Sequence, residues 1–178
     1  MNKKGFTLIE LLAVIIILSI VLVIIIPTSF GGYKRTKLKA EETFVKRLSQ
    51  VVDSYTTLNI DSINFSSIGE QKIKREGENR VVKVYQANIT VQDLIDNKII
   101  TTNDYVNPNN KDVTCNNNAE IEIYKDSDFV YCHKIKASEL DCLTEEYKNS
   151  LMDSFNSEEI ITENNLYVVD TCVWENIR

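Results

Sequence analysis

Residues Leu11 to Ile26 form an apolar stretch broken only by Ser19, and a glutamate, Glu10, stands just before it. Counted from Phe6, the segment is 21 residues long. At ~1.5 Å per residue this makes about 31 Å of helix, enough to cross a hydrocarbon core of about 30 Å. Beyond Pro27 and the Gly31-Gly32 pair the pattern changes. Leu38, Phe44, Val45, Leu48, Val51, Val52, Tyr55 and Leu58 recur at helical spacing, which predicts a helix with one buried face wide enough to receive a small sheet. Proline lacks an amide hydrogen and glycine stabilises helices poorly, so a bend or local unwinding is expected between the two halves.

The rest of the chain reads as short elements. Asn59 to Glu70 is a polar connection, and Arg80-Val81-Val82-Lys83-Val84-Tyr85 is a strand by its β-branched and aromatic content. Thr90 to Asn97 reads as a short helix with Thr90 as N-cap and Asp93 in its first turn. Asn103 to Asn118, dense in asparagine and aspartate around Pro108, is a loop. Glu120–Tyr124 and Asp128–Cys132, joined through Lys125-Asp126-Ser127, alternate in polarity and predict a β-hairpin. A helix is expected near Ser138 to Phe155, with Leu140, Leu143, Tyr147 and Leu151 on one face, and a last strand at Leu166–Val169 before Cys172. A long helix on a small antiparallel sheet is an α+β arrangement.

Charge sharpens this division. The formal net charge is −6, yet Tyr33 to Arg47 carries six basic and two acidic residues, whereas residues 48–178 carry 12 basic against 23 acidic. An acidic distal region lacks the lysines and arginines that displace counterions from phosphates, so direct nucleic-acid binding is not expected. The four cysteines, Cys115, Cys132, Cys142 and Cys172, all lie in the distal half, as expected where disulfides persist. Their spacings of 17, 10 and 30 positions do not suit a zinc site built on C-x-x-C pairs. Three pairings are open; proximity alone leans to Cys115 with Cys132 and Cys142 with Cys172. The asparagine-rich loop lacks the acidic spacing and closing glutamate of an EF-hand, so no metal or other cofactor is assigned. His133, the single histidine, stands beside Cys132 and reads as the end of a strand rather than a general base. Neither a phosphate-cradling glycine loop nor a serine elbow is present, the abundant carboxylates are scattered with no pair assigned to catalysis, and no catalytic residue is assigned.

The amino terminus carries the most specific pattern. Basic residues followed by an apolar run would serve a signal peptide, but that role has no use for a glutamate, and no small-residue cleavage site follows the run. A carboxylate in a membrane-length apolar segment needs compensation. Lys4-Gly5-Phe6-Thr7-Leu8-Ile9-Glu10-Leu11-Leu12, the long apolar run and Pro27 resemble the type IV pilins and the pseudopilins of type II secretion and DNA-uptake machines. The resemblance covers about the first 30 residues.

It implies cleavage after Gly5 by the prepilin peptidase, N-methylation of the new terminal residue Phe6, and a helix that bends at Pro27. It further implies that Glu10 pairs with the N-terminal amine of a neighbouring subunit during assembly. The implied organisation is a leader at 1–5, a transmembrane and assembly helix at 6–26, its amphipathic continuation at 27–58, and an extracytoplasmic head at 59–178. The prepilin would be a single-pass protein of the inner or cytoplasmic membrane with its head outside, and later part of a cell-surface filament. Its partners would be the peptidase, other pilin subunits, and, indirectly, the assembly platform and ATPase. Four cysteines and a C-terminal extension beyond the hairpin favour a minor pilin over the major one. A competence or secretion pseudopilin is the alternative within the family, and a signal-anchored binding protein or enzyme that never polymerises is the alternative outside it.

Overall fold

A computed structural model describes residues 7–75, 77–154 and 166–172, apart from the side chains of residues 22–31, 74 and 154. The chain divides into two compact units, Met1–Lys39 and Ala40–Arg178. Helix α1 spans Leu8–Asn59 without interruption, so neither Pro27 nor Gly31-Gly32 breaks or unwinds it. Helical hydrogen bonds close locally, and removing one donor does not stop the turns on either side from forming.

In the first unit the apolar side chains of α1 point outward, from Leu8 (83% exposed) through Val21 (42% exposed). Among the described residues no helix is long and apolar enough to cross a membrane. The expected segment from Phe6 to Ile26 lies partly outside the described residues, with Phe6 and the side chains of residues 22–26.

The second unit is built on a five-stranded antiparallel sheet in the order β1-β2-β5-β6-β7. Its strands are β1 (Ser66–Arg75), β2 (Glu78–Thr90), β5 (Glu120–Asp126), β6 (Tyr131–Lys136) and β7 (Tyr167–Asp170). A separate two-stranded hairpin joins β3 (Val106–Asn107) to β4 (Asn110–Thr114). Among the described residues the unit also holds two short α-helices, α2 (Val91–Asp96) and α3 (Glu145–Ser154). The α+β arrangement expected from the sequence is therefore present.

The two sheet faces have different cores. On one, Val45, Leu48, Val52 and Tyr55 of α1 are buried, as are Ala87, Ile89, Ile121, Ile123 and Ile135 of the sheet. Full burial of each such aliphatic side chain contributes about 1.5–3 kcal/mol. On the other, Ile73, Val82, Val84, Tyr124 and Cys132 form a smaller cluster with Cys172 packed against it. The period of two along a strand requires this split, because Ile123 and His133 pair directly while Tyr124 and Cys132, one residue along, project oppositely.

Several local expectations need correction. Ser66–Glu70 belongs to β1, not to a polar connection, and Gly69 sits there in a bulge at φ +121°, a conformation that favours glycine. Asn103 to Asn118 contains the β3–β4 hairpin, closed by the Asn107 side chain, which accepts from the amides of Asn109 (2.7 Å) and Asn110 (2.9 Å). Strand β5 extends through Asp126, so the turn follows Asp126 instead of starting at Lys125, and β6 continues past His133 to Lys136. Ala137–Glu139 is a 3-10 turn, and α3 starts only at Glu145; Phe155 lies outside the described residues. Leu58, counted in the apolar stripe, is 73% exposed because the helix ends at Asn59.

The disulfide lean is also overturned. The bonds are Cys115–Cys142 and Cys132–Cys172. Lys134 faces Asp170 across β6 and β7, so counting two residues outward brings Cys132 opposite Cys172, with Cα atoms 5.0 Å apart. Cys115 is held near Cys142 because the Asn116 amide donates to Asp141 (2.9 Å) and the Asn107 side chain donates to the Cys142 carbonyl (2.6 Å). Strand register, not chain proximity, sets who can bond.

Candidate assembly site and the polar anchors of the head

Gly5 and Phe6, where the sequence suggests cleavage and methylation, lie outside the described residues. The structure begins to speak at Thr7. Thr7 precedes the first residue of α1, and Glu10 is three residues on, the spacing of a capping box. The Glu10 carboxylate accepts from the Thr7 amide (2.9 Å) and from the Thr7 hydroxyl (2.8 Å), while the Thr7 hydroxyl accepts from the Glu10 amide at 3.4 Å. In the single chain Glu10 thus already has two donors. Thr-x-x-Glu is legible in the sequence, yet the apolar run draws attention to the charge of Glu10 and away from its geometry. Pro27 lies within α1, and the described side chains do not include its own.

In the second unit Glu41 of α1 is fully buried. Its two oxygens accept from the Thr144 amide (3.0 Å) and the Thr144 hydroxyl (2.8 Å), and the Thr144 hydroxyl in turn accepts from the Tyr147 amide at 3.3 Å. Thr144 caps α3, and Glu41 supplies from 103 residues away the acceptor that a capping box takes from three residues along. Sequence gives no sign of this, because Tyr147 occupies the position where the acid would stand.

His133 is 2% exposed. Its Nε2 lies 2.9 Å from the Ser49 hydroxyl and its Nδ1 3.0 Å from Asp53 Oδ1, both on α1 one turn apart. The Thr171 hydroxyl accepts from the His133 amide (2.8 Å) and donates to its carbonyl (3.1 Å). Burial pushes the imidazole pKa below its ordinary value, outweighing the carboxylates of Asp53 and Asp170. The neutral ring is then satisfied with Nδ1–H donating to Asp53 and Nε2 accepting from Ser49. The connectivity is that of a Ser-His-Asp relay, but the amides flanking Ser49 belong to a helix interior and are committed to its own carbonyls, so they form no oxyanion hole. What the arrangement does is fasten α1 to the middle of the sheet. The sequence expectation that His133 ends a strand misses this, since the partners lie 84 and 80 residues away in sequence.

All four cysteines are in disulfides, so no thiolate is left to bind zinc. Thr90 caps α2 as expected, its hydroxyl accepting from the Asp93 amide while Asp93 accepts from the Thr90 amide at 2.7 Å.

No curated protein and no solved structure matches the chain. A family model described as the prokaryotic N-terminal methylation motif matches residues 1–26. That match covers the basic leader, Gly5, Phe6, the Thr7–Glu10 box and the apolar run, and the α+β head with its two disulfides is consistent with a pilin-like fold. The chain therefore carries at its amino terminus the signature of type IV pilins and pseudopilins.

Proposed function

We propose that this chain is a structural subunit of a type IV pilus or related filament, made as a membrane-anchored prepilin with its head outside the cytoplasmic or inner membrane. The prepilin peptidase cuts between Gly5 and Phe6 and Phe6 is methylated. Assembly then draws the Leu11–Ile26 segment out of the lipid and into a bundle of such helices, through a platform and ATPase belonging to the machine. The observation that carries this reading is the methylation motif at residues 1–26, joined to a helix whose described apolar side chains, Leu8 to Val21, are exposed. Such a surface needs lipid or other helices around it.

Glu10 sets the register of that bundle. Before assembly the Thr7 donors keep its carboxylate from standing bare; in the filament the amine of a neighbouring Phe6 completes the set. A buried charge pair adds little net stability, but a missing partner is strongly unfavourable, which makes it a device for alignment. Pro27, within the uninterrupted α1, stands between its apolar and amphipathic parts. Two disulfides and the segment beyond β6 mark an elaborated head and favour an accessory, or minor, subunit.

The intact and N-terminal peptide masses of protein from its native surface fraction test the reading. A chain beginning at methylated Phe6 supports it; a chain that keeps residues 1–5 beside an active peptidase favours a plain membrane-anchored protein. Glu10→Ala should still be inserted and cleaved but enter filaments poorly, and incorporation at the native level would refute the register role.

A further inference from the structure

Four cations follow the apolar half of α1 with no acid among them. Lys34, Arg35, Lys37 and Lys39 fall within six residues, and the sole carboxylate side chain in residues 1–39 is Glu10. The acids that come next along α1 are engaged in the second unit, Glu41 with Thr144 and Glu42 with Lys46 at 2.6 Å. The stretch therefore carries a net charge of +4, whatever local contacts its side chains make. Tyr33 opens it, 63% exposed, with the Lys37 ammonium 4.6 Å from its ring centre. Lys34, Arg35 and Lys39 are exposed and Lys37 is half-buried.

Because α1 runs unbroken through Pro27 and Gly31-Gly32, the positions of these residues along and around its axis follow from helix geometry. At ~100° per residue, Lys37, Lys34, Arg35 and Lys39 stand at about −60°, 0°, 100° and 140°, an arc of about 200°. A protein partner approaches a helix from one side, whereas a layer of lipid headgroups surrounds it. Charge spread over more than half of the circumference suits the second.

Depth agrees. Counted from Leu11, the residue after Glu10, a hydrocarbon core of about 30 Å takes about 20 residues of helix and ends at Phe30. Tyr33 then comes about 4–5 Å beyond the core, and the four cations about 6–14 Å beyond it. A headgroup layer is about 5–8 Å deep on each side. The long lysine and arginine stems let their charges reach back into that layer, and tyrosine favours the same interface for its apolar ring and polar tip. Orientation adds to this. With the leader cytoplasmic, four cations lie outside against two inside, Lys3 and Lys4, which opposes the usual bias of basic residues toward the cytoplasm. Anionic headgroups on the outer side turn that opposition into attraction.

We propose that Lys34, Arg35, Lys37 and Lys39 form a collar that binds the phosphates of anionic phospholipids in the outer leaflet, an inference that rests on the membrane-anchored prepilin reading. The collar fixes the depth of the apolar segment before assembly and stands, in sequence order, between the anionic surface and the acidic distal region. Drawing the helix into a filament breaks these contacts.

The full chain in phosphatidylcholine bilayers, doped with spin-labelled phosphatidylglycerol or spin-labelled phosphatidylcholine, tests this by electron spin resonance. The motionally restricted label should show phosphatidylglycerol preferred by roughly threefold or more, and the preference should fade in about 1 M salt, where the Debye length is about 3 Å. Lys34→Gln, Arg35→Gln, Lys37→Gln and Lys39→Gln together keep helix propensity and should abolish the preference. Lys3→Gln with Lys4→Gln should leave most of it. Equal association of the two lipids with the unaltered chain overturns the collar and leaves the anchor reading intact, as does a preference that survives the four substitutions or follows Lys3 and Lys4. Absence of any restricted lipid shows that the chain does not enter the bilayer and refutes both.

Discussion

The two units of this chain meet the same physical requirements in opposite ways. In the first, the helix satisfies its own backbone and exposes its apolar surface: Leu8, Ile9, Leu11 and their neighbours are open along the described helix. In the second, apolar side chains are enclosed on both faces of a sheet, and the polar groups enclosed with them, Glu41, Asp126 and His133, have named partners. Changes in the core of the second unit should therefore appear as altered stability, and changes in the first as altered assembly.

The sharpest way to break that contrast is to open the head. Replacing Cys132 and Cys172 together by alanine should destabilise it by about 4 kcal/mol, the chain-entropy value for a 40-residue loop. Denaturant titration with and without reductant reads the loss, and a non-reduced digest should yield Cys115 linked to Cys142 and Cys132 linked to Cys172. The two loops share only residues 132 to 142, so each bond shortens the other's loop slightly, and removing both should cost no less than the sum of each alone.

Glu41→Ala comes next. It strips the cap from α3 and leaves the Thr144 amide without its acceptor, for about 1–3 kcal/mol. Hydrogen exchange should quicken first at the α3 amides. If exchange rises instead across the whole sheet, Glu41 supports more than the cap.

The smallest effect is a dependence on pH. Above about pH 6.5, the ordinary histidine pKa, His133 is neutral whether the chain is folded or not, and its contribution is complete. As pH falls below that value the unfolded chain takes up the proton first, so stability declines toward the lower folded-state pKa. The slope is at most about 1.4 kcal/mol per pH unit for one proton. Urea midpoints at pH 7.5, 6.5 and 5.5 should show the decline, and His133→Gln should flatten it.

How much of this was legible beforehand follows from the range of each interaction. The run from Leu11 to Ile26, the Thr90 cap, the strand at Arg80–Tyr85 and the hairpin around Asp126 are written in neighbouring residues, where turn chemistry and side-chain period decide the outcome. Even so, the exact turn and the reach of β6 past His133 escaped, because polar residues can lie in a strand whose neighbours supply their partners. The disulfide pairing, the Glu41 cap on α3 and the Ser49–His133–Asp53 bridge were decided only by tertiary structure. Each joins segments tens of residues apart, and sequence carries no distance information across such gaps until strand register and helix face are known. By itself the sequence determined that residues 1–26 carry the methylation motif and its apolar run, since that signal is local, contiguous and dictated by the solvent it must meet.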